Sequence, residues 1–128
     1  MIIEHFMGKE ICKNINEIPE ILKKQTSKGV NEFWISINGD YPVLSVLTNQ
    51  NYAYVHFFEE EGEPGLQIIS DVDLGLDLDG ESVFYTNTDT EEVNIENSCV
   101  VDIKRAIEIV HEFGVTHQLP KCIAWEEL

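Results

Sequence analysis

Hydrophobic residues alternate with polar ones through the middle of the chain, a period of two that predicts β-strands. Short polar segments separate these runs, and the three-residue connection 49–51 is of the kind that closes an antiparallel hairpin. The predicted strands, in chain order, cover residues 2–7, 33–38, 43–48, 52–58, 66–70, 82–86 and 93–95, with 122–125 as a terminal strand or docking segment. The sequence therefore predicts one antiparallel sheet that continues past its acidic loops.

A first helix is predicted near the N-terminus, where apolar residues have a period close to 3.6. Ile18, Ile21 and Leu22 form one apolar stripe. Asn16 is the expected N-cap, because its side chain can accept a hydrogen bond from a free backbone amide, and Gly29 is the expected stop.

A second helix is predicted near the C-terminus, with Asp102 as its N-cap and Gly114 as its end. Its expected apolar face consists of Ala106, Ile107, Val110 and Phe113. Helix, strands and helix together predict an α+β fold, an antiparallel β-sheet with an N-terminal and a C-terminal helix packed on one face.

Composition favours one soluble domain over residues 1–128. The 128 residues are 43% hydrophobic, which is enough for a buried core and argues against disorder. Residues 1–13 lack the features of a secretion signal, and no run is apolar enough for a membrane helix, so we expect a cytoplasmic protein. Cys12, Cys99 and Cys122 are odd in number and widely spaced, which favours reduced, buried thiols.

Charge is the unusual feature of the sequence. The formal net charge is −16, which argues against direct binding to nucleic acid or to an anionic membrane. No Lys or Arg lies between Val30 and Ile103, a segment that contains sixteen acidic residues. Such segregation favours complementarity to a strongly basic partner, whereas solubility alone explains the total charge but not its distribution.

Two acidic loops are the candidate partner-binding segments. They supply Glu59, Glu60, Glu61 and Glu63, and then Asp71, Asp73, Asp77, Asp79 and Glu81. The alternative is that both loops are simply solvated surface. Trp34 and Trp125 are either interface anchors or core residues.

Metal binding and catalysis find less support in the residues. The Asp-rich segment 71–81 invites a calcium-binding hypothesis, but Leu76 or Ser82 stands where an EF-hand loop needs glycine. The four histidines have no zinc-ligand spacing, and no nucleophile motif or phosphate-binding loop is present. We therefore expect a protein that is not an enzyme, with no catalytic residue, no metal and no cofactor.

The order of several marks resembles a known family. The run FWISINGDYPVLSVLTNQNYAYVHFF includes Pro42, the dipeptide Pro64-Gly65 follows an acidic turn, and a closing helix leads to Pro120 and Trp125-Glu126. Over residues 33–128 the chain resembles the Imm1 family of immunity proteins from bacterial polymorphic toxin systems. The resemblance implies an α+β fold, no catalysis and a cytosolic protein that binds a cognate toxin, often a nucleic-acid deaminase.

A deaminase partner agrees with the charge, because an enzyme that captures a nucleic-acid strand needs a basic groove that an acidic protein can occupy. The expected partner-binding residues are the nine acids of the two loops with Trp125 and Glu126, although these last two are alternatively structural signatures of the family. The competing functions are a small calcium-binding module and a general mimic of DNA.

Overall fold

A computed structural model covers residues 1–128 and contains ten β-strands and two α-helices. The strands are β1 (Ile2–His5), β2 (Gly8–Ile11), β3 (Val30–Ser36), β4 (Val43–Asn49), β5 (Tyr52–Phe58), β6 (Leu66–Ile69), β7 (Glu81–Tyr85), β8 (Glu92–Glu96), β9 (Val101–Asp102) and β10 (Ala124–Glu127). The helices are α1 (Ile18–Leu22) and α2 (Ile103–Thr116). The α+β class is thus confirmed.

Eight strands form the main sheet, in the order β10-β6-β5-β4-β3-β1-β2, with β9 paired to β5. All of the strand pairs are antiparallel. The predicted succession of β3, β4 and β5 is confirmed, and each neighbouring pair is in register over seven residues. Strand β2 was not predicted; it forms a hairpin with β1, which ends at His5 rather than Met7.

Two predicted strands, β7 and β8, leave the main sheet. They pair only with each other and make a separate hairpin, so the expectation of one continuous sheet was wrong. The long loop before β7 allows the hairpin to stack on the sheet instead of extending it. Phe84 is its fully buried anchor, in a small cluster with Leu47, Tyr54, Cys99 and Val100.

Helix α1 is shorter than predicted. Asn14, not Asn16, accepts the capping hydrogen bond, from the Asn16 amide, and a 3-10 turn then leads into the helix. The helix ends at Leu22. Gly29 instead lies in the turn before β3 with φ +78, a left-handed conformation that glycine adopts without strain.

Helix α2 begins as predicted, because the Asp102 carboxylate accepts a hydrogen bond from the Arg105 amide at 3.0 Å. Gly114 does not end it; the helix continues to Thr116, and His117 takes the left-handed capping conformation. Ile109 is fully buried while Ile107 is only half-buried. The apolar stripe is therefore 106, 109, 110 and 113, which is the regular i, i+3, i+4, i+7 spacing.

The main hydrophobic core joins both helices to alternate residues of the sheet. Phe33, Val46, Val55 and Phe57 share this core with Phe113 of α2, and we call the side of the sheet that carries them the inner face. Neither α-helix has the length and apolar character that crossing a membrane requires. Of the three thiols, Cys12 and Cys99 are buried as expected, but Cys122 is exposed, so that expectation fails for Cys122.

Candidate partner-binding surface

The two acidic loops lie at opposite ends of one strand. Residues 59–63, the first acidic loop, precede β6, and residues 71–81, the second acidic loop, follow it. Strand β6 has four residues, which at about 3.3 Å per residue separates the loops by roughly 13 Å. The structure therefore does not bring the two predicted binding segments together.

The first acidic loop is fixed by one of its own carboxylates. The Glu63 side chain accepts hydrogen bonds from the amides of Glu59 at 2.7 Å and Glu60 at 3.1 Å. This closes the loop and leaves Glu59, Glu60 and Glu61 exposed. Their carboxylates form no ion pair within the chain and are available to an incoming cation.

In the second acidic loop, Asp71 has a structural contact. Its carboxylate accepts two hydrogen bonds from the Arg105 guanidinium of α2, at 3.1 and 2.8 Å. The hydrogen bond with Arg105 holds the pKa of Asp71 below its usual value. Arg105 also donates to the Cys122 carbonyl, so this one arginine ties the loop and the C-terminal segment to the helix.

The rest of the second acidic loop combines carboxylates with leucines. Asp73 and Asp77 accept hydrogen bonds from the amides two residues later, as in Asx turns. Leu74 and Leu76 pack against the small cluster, whereas Leu78 is 72% exposed. A groove of about 520 Å³ runs beside these leucines. The loop is therefore a mixed apolar and acidic surface.

Trp125 and Glu126, adjacent in sequence, point to opposite faces of the sheet. Trp125 packs edge-on against Phe57 with the ring centroids 6.2 Å apart, and its indole N–H donates to the Pro120 carbonyl at 2.7 Å. Trp125 is thus half-buried and packs against the main core. Glu126 accepts hydrogen bonds from Gln67 at 2.9 Å and from the Cys99 thiol at 3.5 Å.

The face of the sheet opposite the main core, here called the outer face, is only partly covered. The β7–β8 hairpin stacks over Leu47 and Tyr54. Its tip is held by Glu32, a buried carboxylate that accepts hydrogen bonds from the Thr86 hydroxyl at 2.5 Å and the Asn87 amide at 3.1 Å. No second layer covers the neighbouring part of this face.

One row of cross-strand neighbours crosses the uncovered part. The row runs through Lys9, Glu4, Trp34, Ser45, His56, Gln67 and Glu126, one residue from each of seven strands. Because side chains alternate along each strand, all seven point to the outer face. Glu126 is thus the predicted site residue that the structure places on this surface, and Glu4 and Trp34 lie on it as well.

Aromatic rings lie at the centre of this row and directly beside it. Trp34 stacks on Phe58 at 5.8 Å, Phe58 stacks on His56 at 4.1 Å, and we call these three residues the aromatic patch. Trp34 is 39% exposed, and so this patch is accessible from solvent. Burial lowers the pKa of His56, whose Nε2 lies 2.7 Å from the Pro64 carbonyl and donates to it. Phe58 leads directly into the first acidic loop.

The acids of the basic-free segment are almost entirely unpaired. Among the sixteen, Asp71 pairs with Arg105 and Asp89 with Lys28, at 2.8 and 3.8 Å, and the others form no ion pair. A surface with this much uncompensated charge repels itself, and a basic partner relieves the repulsion.

No group of three His, Cys, Asp or Glu side chains converges in a way that could hold a metal ion. Burial raises the pKa of the Cys99 thiol to about 11, which makes this cysteine a poor nucleophile at neutral pH.

Comparison with known proteins adds no relative. No protein-family model matches the chain, and a search of curated proteins finds no similar sequence.

The sequence prediction of the site missed the outer face. It named acidic loops from charge, but it did not select Glu4, Trp34 and His56 as one surface. Alternation within β3 and β5 could have indicated part of this surface, since Trp34 points to the face opposite Phe33 and Ile35. What alternation could not supply was the register that aligns the strands.

Proposed function

We propose that the protein is an immunity protein that binds and neutralises a cognate basic toxin domain, with a nucleic-acid deaminase as the partner class. The observation that carries the proposal is the unpaired acidic surface of the segment between Val30 and Ile103. Its sixteen acids include only two in ion pairs. The resemblance of residues 33–128 to the Imm1 family supports the same function.

The scaffold suits such a role. We propose that both helices pack on one face of the sheet, which leaves the uncovered part of the outer face and the first acidic loop for the partner. The shared core of α1, α2 and the inner-face residues supports this arrangement. Rigid strands would present the carboxylates with little loss of conformational entropy on binding.

Inhibition would be competitive with nucleic acid. A deaminase must admit a polyanionic strand to a positively charged groove and enclose the target base. Carboxylates of the first acidic loop would take the positions of phosphates there, and the long-range field would speed the encounter. Neutralisation then requires no catalytic group in the immunity protein.

A direct test uses the product of the neighbouring upstream gene as the candidate toxin. Cells that express this product should die, and co-expression of the present protein should rescue them. The purified pair should also show a raised Tm for the present protein, because a ligand that binds only the folded state stabilises it. A Tm that rises with calcium, with no response to the candidate toxin, would favour the calcium-binding alternative.

The contribution of charge can be measured with matched loop variants. Changing Glu59, Glu60, Glu61 and Glu63 to Gln should slow association and flatten its dependence on salt. The matched variant of the second acidic loop changes Asp73, Asp77 and Asp79 to Asn and Glu81 to Gln. It leaves Asp71 in place because the Asp71 carboxylate is bonded to Arg105.

If both loop variants associate at the wild-type rate across salt and still rescue cells, the acidic loops are only solvated surface. Tight salt-sensitive binding to many unrelated DNA-binding proteins would instead favour a general mimic of DNA.

A further inference from the structure

We propose that Trp34 and Glu4 form the contact that receives an arginine-bearing segment of the basic partner. This inference rests on the proposed function and deepens it, since it places the specific contact on the outer face and leaves steering to the acidic loops. It also states which basic side chain the surface recognises.

Trp34 and Glu4 form a ridge between two grooves. The two residues are cross-strand neighbours on β3 and β1. A groove of about 470 Å³ lies on one side and a groove of about 400 Å³ lies on the other, and both residues line both grooves. An extended segment that crosses the ridge would therefore meet the indole and the carboxylate together.

The charge of the larger groove favours a cation. Glu4, Glu32 and Asp89 line it, and no lysine or arginine does. Of these three carboxylates only Asp89 has an ion-pair partner, Lys28 at 3.8 Å. The exposed Glu4 carboxylate forms no ion pair within the chain. Glu32 accepts two hydrogen bonds, whereas two carboxylate oxygens offer about four acceptor positions. The groove therefore has acceptor capacity that its own residues do not use.

The smaller groove has Tyr41, Val43 and Ile2 on its walls, with Lys9 as its one basic residue. Lys9 lies directly across from Glu4 in the register of β1 and β2. A cation is therefore better accommodated on the larger-groove side of the ridge, and the aliphatic part of the partner segment on the smaller-groove side.

Arginine fits this arrangement better than lysine. A guanidinium is planar, stacks on an indole and donates to a carboxylate through two N–H groups, whereas an ammonium is a strongly hydrated point charge. Phe58 stacks on Trp34, and neither groove reaches Phe58. The indole is thus held in place by the aromatic patch while its exposed part borders both grooves.

The test uses two peptides of equal length and charge, in which glycine alternates with arginine in one and with lysine in the other. The full chain is titrated with each, and the two indole N–H signals are followed by NMR. Trp34 is assigned with a Trp34→Phe variant. Trp125, whose N–H is bonded to Pro120, serves as the internal control.

We expect the arginine peptide to bind at least about ten times more tightly than the lysine peptide and to shift the Trp34 signal but not the Trp125 signal. Trp34→Ala should abolish this preference, and Glu4→Gln should reduce it about threefold or more. A variant with Asp73, Asp77 and Asp79 changed to Asn should weaken both peptides equally.

Equal affinities for the two peptides, or an arginine complex with an unshifted Trp34 signal, would overturn the proposal. Because Glu4 is exposed, the Glu4→Gln variant should fold, and it can test the proposal even if Trp34→Ala does not fold. Rescue from the toxin by a folded Trp34→Ala variant at the wild-type level would refute the ridge as the contact and leave the proposed function intact. Arginine selectivity at Trp34 in a protein that does not rescue cells would support the ridge as an arginine contact and refute the proposed function.

Discussion

The two faces of the main sheet use the same strands for different purposes. On the inner face, Phe33, Val55 and Phe57 are buried against the helices. On the outer face, their immediate neighbours Trp34, His56 and Phe58 lie partly open to solvent. One face thus stabilises the fold, and the other carries aromatic and charged groups that lie partly open to solvent.

The outer face is itself divided. The β7–β8 hairpin covers the row that contains Leu47 and Tyr54, while the row that contains Trp34 and His56 lies outside the hairpin and leaves Trp34 39% exposed. Along one strand, a position under the hairpin and a position in the candidate interface are therefore only two residues apart. Substitutions in regions of different burial should differ accordingly in their effect on stability, which should be largest in the main core, intermediate under the hairpin and smallest in an acidic loop.

The largest effect on stability is expected in the main core, from Ile109→Asp in α2. This residue is fully buried in the main core, so an unpaired carboxylate there should cost several kcal/mol, about the whole stability of a small domain. Ile107→Asp, two residues away on the half-buried edge of α2, should keep a cooperative but lower melting transition. Thermal unfolding followed by circular dichroism distinguishes the two, and equal behaviour would contradict the assigned helix face.

An intermediate effect is expected under the hairpin, from Phe84→Ala. Removing a fully buried phenylalanine should cost about 3–5 kcal/mol. Because Phe84 belongs to the small cluster, amide hydrogen exchange should accelerate in β7 and β8 before it does in α2. Val83→Ala, on the opposite side of the same strand, is the control. Uniform acceleration through the chain would show that the hairpin and the main core unfold as one unit.

The smallest effect is expected from Asp71→Asn, which weakens the tie between the second acidic loop and α2. The pKa of Asp71 is lowered by Arg105, so the stabilisation is present at neutral pH and is lost as the pH falls through the lowered pKa, below 3.8. The Tm difference from the wild type should therefore be small at pH 7 and shrink further below pH 3.8. Asp73 has no arginine partner, so Asp73→Asn should show no such trend.

The secondary structure was largely predictable because its signals are local. The period of two in β3, β4 and β5 and the Asp102 cap of α2 depend on residues a few positions apart. Errors arose where local signals compete, as at Asn14 and Asn16, either of which can cap a helix. Ile109 was missed although the regular spacing from Ala106 points to it.

The candidate site was less predictable. The charge pattern selected the first acidic loop, and it also selected Asp71, which is bound to Arg105. Counting charges cannot distinguish a free carboxylate from a paired one when the partners are 34 residues apart in sequence. The resemblance drew attention to Trp125 and Glu126, of which Trp125 is half-buried against the main core and Glu126 is exposed on the outer face.

By itself the sequence determined the alternation of the strands, the start of the last helix and the confinement of the negative charge to one segment. Only the tertiary structure decided that β7 and β8 stack on the sheet, and that Glu4, Trp34 and His56 form one row. The reason is that strand register and stacking depend on contacts between distant residues, such as Glu32 with Thr86, 54 positions apart. The energies of such contacts are set by packing in three dimensions, which no local pattern along the chain records.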